Sequence, residues 1–477
     1  MFNIFMAGSL SVIDILLPIG LILIISKVFG IGAKKIGLPQ VAAMLLTGII
    51  LGLLYQFIPW INQNVITDTW IEGIRFIAEI GVILIMFSAG LGTDVKQIRA
   101  TGISALVITV LDVVLAIGLG FLVSGLVQGF TGTVEFTNAA GDTVTISKGW
   151  SNLFYGVILS ATSVSVTVAT LKELGKLNSR IGTTIVSAAI LDDIIGVIVL
   201  SVVLSLSSTG SGSTGAITSI LGIWNVNSIV SVVIATVLFF AFIFLLGFII
   251  RKIFNHLERK YPHHRRIPIY GLALCFIIAF LSEKVFGIAD ITGAYFSGLL
   301  LSGRQSSKYI ERRSDIASYI LFTPVFFAKI GLTTHWQKID PTFLLFGVLF
   351  LIAALVGKFV GATAGAKMTG NNWKDSLCCG AAMIVRAEVC LVSAQKGIDA
   401  GLINPNVQIF LIILIISTSF VVPLILKAAY KKDMQIDNDL LNKSAAEIEA
   451  EKNTNNEAIA TEQAIVETEQ KGVVKKL

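Results

Sequence analysis

Charge is what this chain has least of. Only 14% of its 477 residues are Asp, Glu, Lys or Arg, against about a quarter in soluble domains. Hydrophobic residues make up 55%, and the mean hydropathy is +0.84. An ordinary water-soluble globule is therefore excluded. Cysteine is scarce and unpatterned: Cys275, Cys378, Cys379 and Cys390 lie within or beside apolar runs and have no CxxC spacing. They read as small packing residues, with no disulfide and no metal assigned. The apolar runs are continuous rather than alternating, which excludes a closed β-barrel. The opening MFNIFMAGSL lacks a basic stretch and a cleavage pattern, so SVIDILLPIGLILIISKVFG reads as a retained first helix.

What is there is a series of apolar runs of about 20 residues, the length of a membrane-crossing helix. Thirteen spans are expected, near 11–30, 38–58, 73–93, 103–127, 150–171, 180–206, 223–250, 268–286, 290–303, 313–334, 342–366, 375–399 and 407–428. The fold class is thus an all-α polytopic membrane protein, with residues 1–430 embedded in the lipid bilayer. Loops rich in Lys and Arg (AKK, DVKQIRA, LKELGKLNSR, RKIFNHLERKYPHHRR, KMTGNNWKD) alternate with loops poor in them. By the positive-inside rule the first set is cytoplasmic, which places the N-terminus outside and the C-terminus inside the plasma membrane. That rule also accounts for the basic segment Arg251–Arg266 and the net charge of +6 without a nucleic-acid partner. From Lys431 the chain turns polar and acid-rich. Residues 431–477 read as a disordered cytoplasmic tail with no nucleotide-binding domain.

The chain resembles itself. GLPQVAAMLLTGIILG opens the second span and GIADITGAYFSGLLLSG the ninth, each followed by four more spans. The two openings face opposite sides, so residues 38–206 and 288–428 form two inverted five-helix repeats. In each repeat the fourth helix carries polar residues at mid-span. The first has Ser160, Thr162, Ser163, Ser165 and Thr167, and the second has Arg386 and Glu388. Both suit an unwound crossover whose freed carbonyls meet a cation.

Asp192 and Asp193 lie in the middle of IGTTIVSAAILDDIIGVIVLSVVLSL. One carboxylate at that depth costs about 2.5–3.5 kcal/mol, and an intramembrane acid is by default an ion or proton site with a partner elsewhere. Lys358, alone in FLLFGVLFLIAALVGKFVGATAGA, is the obvious mate. Consecutive helical residues point about 100° apart. One aspartate can therefore face Lys358 while the other faces a cavity. Arg386 and Glu388, two apart, do not align to pair on a continuous helix. Asp112, Glu79 and Lys329 are further charges within spans, with Asp112 the best candidate as an auxiliary residue.

SATSVSVTVATLKELG with SAAILDDIIGVIVLS resembles the signature helices of the monovalent cation:proton antiporters, in the branch of NapA-type and Kef-type exchangers. MIVRAEVCLV is similar to the branch's MIPRGEVGL, with Val385 for proline and Ala387 for glycine. VGKF and EIGVILIMFSAGL match the buried-lysine and third-helix patterns. The resemblance covers residues 11–428. It implies thirteen helices, crossed discontinuous helices and a homodimer whose core slides on a dimerisation domain. It implies that Asp193 binds the cation and the proton, that Asp192 pairs with Lys358, and that Thr162 and Ser163 supply backbone ligands. The two-aspartate form implies electrogenic exchange. The chain reads as a transporter, not an enzyme, exchanging Na⁺, and also Li⁺, for H⁺ without a cofactor. Exchange of K⁺, a cation channel and a sensor with vestigial transport stay open as alternatives.

Overall fold

Backbone polar groups that have no water to meet must bond within their own segment, so the apolar runs fold as helices. The computed structural model describes residues 12–35, 40–58, 68–93, 101–137, 143–163, 167–168, 170–171, 174, 176–177, 179–207, 215–223, 228–260, 266–304, 306–334 and 341–430. The expected tail, Ser165 and the paired histidines His263 and His264 lie outside the described residues.

In chain order the helices are α1 (Val12–Lys35), α2 (Gln40–Phe57), α3 (Asp68–Gly92), α4 (Ile103–Gln128), α5 (Lys148–Ser160), α6 (Arg180–Ser207), α7 (Ala216–Ile223), α8 (Ser228–Lys260), α9 (Arg266–Lys284), α10 (Asp290–Leu301), α11 (Ser307–Thr333), α12 (Pro341–Met368), α13 (Trp373–Met383), α14 (Glu388–Asp399) and α15 (Val407–Tyr430). Among the described residues ten are long and apolar enough to cross a membrane, and α13 with α14, bent by 45° at their break, make an eleventh. The two remaining expected spans are short: α5 has 13 residues and α10 has 12. α8 runs ten residues past its expected end, through Lys260. The segment between α4 and α5, expected as a long loop, holds a hairpin of β1 (Thr133–Thr137) and β2 (Thr143–Ser147), antiparallel with Glu135 opposite Thr145. Its alternation, TVEFT and TVTIS, is the period-2 pattern of a strand. By contacts the chain divides into Met1–Leu424, which holds everything described below, and Ile425–Leu477, of which residues 425–430 are described.

The helices of the first unit pack as a panel of α1, α2, α3, α9, α10 and α11, and a block of α4, α5, α6, α12, α13 and α14. Within the panel, α2 crosses α11 and α3 crosses α10, and these crossings match residue for residue. Gly331 sits so close to α2 that a Cβ there would lie 2.7 Å from the Leu45 carbonyl oxygen. Gly90 approaches the equivalent Tyr295 carbonyl on α10 and would meet Leu299 N at 3.0 Å. Conversely, Gly48 meets the carbonyl of Ala328, and Gly298 that of Phe87. Gly48 and Gly298 are the aligned glycines of the two repeat openings, so the internal resemblance is a structural two-fold. Small residues at these points let backbones touch where apolar side chains gain little from leaving lipid.

Three polar contacts join panel to block near the C-terminal ends of α6 and α14, and a fourth joins the end of α11 to α15. Lys396 Nζ of α14 pairs with Asp290 Oδ1 of α10 at 2.6 Å. The Ser205 hydroxyl donates to the Gly287 carbonyl at 2.9 Å, Thr334 to Gln408 Oε1 at 3.3 Å, and Ser201 meets Thr292.

Candidate functional site

Asp192 and Asp193 occupy the midpoint of α6, a 28-residue helix. Asp192 is fully buried and its Oδ1 accepts from Lys358 Nζ at 2.7 Å. Asp193, one residue and about 100° further round, points elsewhere. It is half-buried, and among the described residues its buried Oδ1 has no hydrogen-bond partner. Lys358 projects from α12 and also donates to Asp112 Oδ2 of α4. Asp112 is therefore a full partner of the lysine, on equal footing with Asp192. All three of these side chains have zero exposure. Asp112 Oδ1 and Asp192 Oδ2, like Asp193 Oδ1, are buried without a partner among the described residues. Two carboxylates, those of Asp112 and Asp192, thus share one ammonium at the centre of the block, with Asp193 beside them on the same helix as Asp192. A burial this deep is tolerated only where charge is compensated, and Lys358 is the cation that Asp112 and Asp192 share.

The two broken helices meet beside this cluster. α5 ends at Ser160, the chain is non-helical from Ala161 to Ser163, and Thr167 and Val168 are helical. α13 ends at Met383, and α14 begins at Glu388 after a short non-helical stretch. Ser163 N donates to the Val385 carbonyl at 2.8 Å, Thr167 Oγ1 to Ala382 O at 2.9 Å, and Thr162 Oγ1 to Met383 O at 3.4 Å. Each break therefore satisfies the other. Arg386, fully buried, answers the question its position posed. Its guanidinium donates to the Leu159 carbonyl at 2.6 Å and to that of Ala161, with longer contacts to Ala354 O at 3.4 Å and Thr162 Oγ1 at 3.5 Å. The carbonyl of Leu159, in the last turn of α5, and that of Ala161, just past its end, have no partner within that helix. A positive group there also opposes the negative end of the helix dipole. Glu388 is half-buried at the first position of α14, where a helix N-terminus favours a carboxylate.

Two of the other charges within spans lie apart from this centre. Glu79 is half-exposed and pairs with Arg75 at 3.2 Å. Lys329, buried on α11, lines a separate cleft with Glu79, Gln395, Lys396 and Asp399. Sequence reasoning ranked Asp112 as auxiliary, but a signal for its role was present. Gly357, Gly361 and Gly365 recur every four residues around Lys358 and pack on Ala116, Asp112 and Ile108 of α4. That ladder marks which helix the lysine's own helix touches.

The profile of the transmembrane sodium/hydrogen exchanger matches residues 20–432, most of the chain. The chain belongs to the sodium/hydrogen exchanger family. It is 32% identical over 412 residues to the Na⁺/H⁺-K⁺ antiporter GerN of Bacillus cereus, spanning 86% of this chain and 95% of GerN. It is 30% identical to a Na⁺/H⁺ antiporter of Enterococcus hirae, over 86% of this chain and 97% of the relative. In fold the exchanger matches the sodium proton antiporter MjNhaP1 of Methanocaldococcus jannaschii with a TM-score of 0.60. That match has 17% identity and covers 88% of this chain and 97% of the other.

Proposed function

We propose that the protein exchanges a monovalent cation, Na⁺ or K⁺, for protons across the plasma membrane, and that Asp193 is the carboxylate both ions share. The observation that carries this is the buried, partnerless oxygen of Asp193 beside a lysine-bound Asp192. Membership of the exchanger family and relatives named as Na⁺/H⁺ and Na⁺/H⁺-K⁺ antiporters support it. Hard monovalent cations take carboxylate, hydroxyl and carbonyl oxygens, and in this reading Asp193 and Asp192 supply the first while Thr162 and Ser163 of the crossover supply the others.

Facing the cytoplasm, ionised Asp193 takes the cation with help from Asp192, loosening the hold of Asp192 on Lys358. The block then moves against the panel and releases the ion outside. Two protons then load, one on Asp193 and the second on Asp192 or Lys358, and return inward, so each cycle moves net charge. Because cation and proton compete for one carboxylate, neither crosses without the other. The polar contacts at the ends of α6, α10 and α14 support the moving-block reading. With the N-terminus outside, they all lie on the outer face, so they close that side and must part when it opens. Exchange through a homodimer, electrogenic and with Arg386 and Glu388 holding the crossover, completes the proposal.

The test is exchange by the full chain in proteoliposomes carrying a trapped pH dye, with Na⁺, K⁺ or Li⁺ added separately. Cation-driven proton movement is expected from the parent, and a loss of at least about a hundredfold from Asp193→Asn. Ion flux without proton counterflow, or full activity in Asp193→Asn, defeats the proposal. Which cation drives the signal names the ion.

A further inference from the structure

Lys358 offers three N–H donors, and it spends them on two carboxylates mounted in different ways. Asp192 shares α6 with Asp193, the group proposed to take the ion. Asp112 stands on α4, and α4 is held to the lysine's own helix by backbone contact. A Cβ on Gly361 would lie 2.6 Å from Asp112 Cα, one on Gly365 2.6 Å from Ile108 Cα, and one on Gly357 3.1 Å from Ala116 Cα. Helices this close cannot shift apart without opening the whole crossing. The bond from Lys358 to Asp112 is therefore fixed by the scaffold, whereas the bond from Lys358 to Asp192 competes with whatever Asp192 does next to Asp193.

We infer that Asp112 is a positioning residue, a permanent second acceptor that holds the Lys358 ammonium when Asp192 turns to the cation. The lysine then shifts between two carboxylates and is never left bare in a low-dielectric interior, where an unpaired charge is strongly unfavourable. The partnerless second oxygens of Asp112 and Asp192 leave each free to take a larger share of the ammonium. This inference rests on the reading of Asp193 and Asp192 as the cation site.

Asp112→Asn keeps the shape and removes the charge. Lys358 then holds Asp192 alone and competes harder with the cation. In proteoliposomes the KM for the transported cation is expected to rise about tenfold, as loss of one charged hydrogen bond implies, while the rate at saturating cation stays within about threefold. An unchanged KM overturns the inference. So does complete loss of exchange in a folded protein, which would make Asp112 a ligand. Thermal unfolding of Asp112→Asn, Lys358→Gln and the double variant gives a readout independent of transport. Partners must show a non-additive cycle, with the double variant more stable than the two single losses predict, and additive losses overturn the pairing. If Asp193→Asn exchanges like the parent, the site reading itself has failed. If Asp193→Asn is dead and Asp112→Asn titrates like the parent, only the role of Asp112 has failed.

Discussion

Two helix crossings in this molecule are built alike and carry different loads. In the panel, Gly48 and Gly331 bring α2 onto α11, and the two-fold copy uses Gly90 and Gly298 to bring α3 onto α10. In the block, Gly357, Gly361 and Gly365 bring α12 onto α4 with the same intimacy. The panel crossings join backbones at Leu45, Phe87, Tyr295 and Ala328, none of them charged. The block crossing sets Lys358 against Asp112 with no exposure at either side chain. Close packing by itself is thus a feature of the scaffold. It becomes part of a site only where a charge sits beside the glycine and the approach fixes which partner that charge meets.

The sharpest way to break this comparison is to remove the charge and keep the packing. Lys358→Met leaves Asp112 and Asp192 buried without their cation. Breaking such a group by removing one member costs about 3–5 kcal/mol, so thermal unfolding in detergent should fall steeply. A variant as stable as the parent would mean the ion-pair group is not closed as described. Next come the glycines. Gly48→Ala and Gly361→Ala both force a Cβ into a neighbouring backbone, and each is expected to lose about 1–3 kcal/mol by overpacking. Only Gly361→Ala should also weaken cation affinity in the exchange assay. Equal effects on affinity would erase the distinction between the two crossings. The smallest effect belongs to Lys396→Gln, which removes an ion pair whose side chains are 24% and 17% exposed. Partly solvated pairs contribute little, so less than about 1 kcal/mol of stability should go. The apparent cation affinity measured from the outer face should change more than that from the inner face. A larger effect inside would misplace the closed end.

Much of this was readable in the sequence, because burying a charge is expensive and so draws attention to itself. Asp192, Asp193 and Lys358 stood out against apolar runs, and the repeat was visible in two short segments whose aligned glycines proved to be the contact points. The helix interruptions were signalled by hydroxyls in one repeat and by Arg386 with Glu388 in the other. What composition cannot encode is the direction a helix presents to its neighbours. A lone lysine says that it needs a carboxylate, but the choice between Asp192 and both aspartates depends on how α4 lies against α12. Arg386 was legible as a charge needing a partner. That its partners are carbonyls was not legible, since every residue has one and only the break exposes those of Leu159 and Ala161. Glu79 and Lys329 looked like candidates for the same reason as Asp112, and they lie apart from the centre because spans α3 and α11 belong to the panel.

The way Arg386 is satisfied has a genetic consequence. Two of its acceptors, on Leu159 and Ala161, are main-chain oxygens, present whatever side chains those positions carry. A substitution that shortens or neutralises Arg386 therefore cannot be repaired by exchanging Leu159 or Ala161 for a better acceptor, because the acceptors are already there. Suppressors of such a lesion must bring a new donor from another helix. A screen for revertants should map that donor's position, leaving α5 itself unchanged.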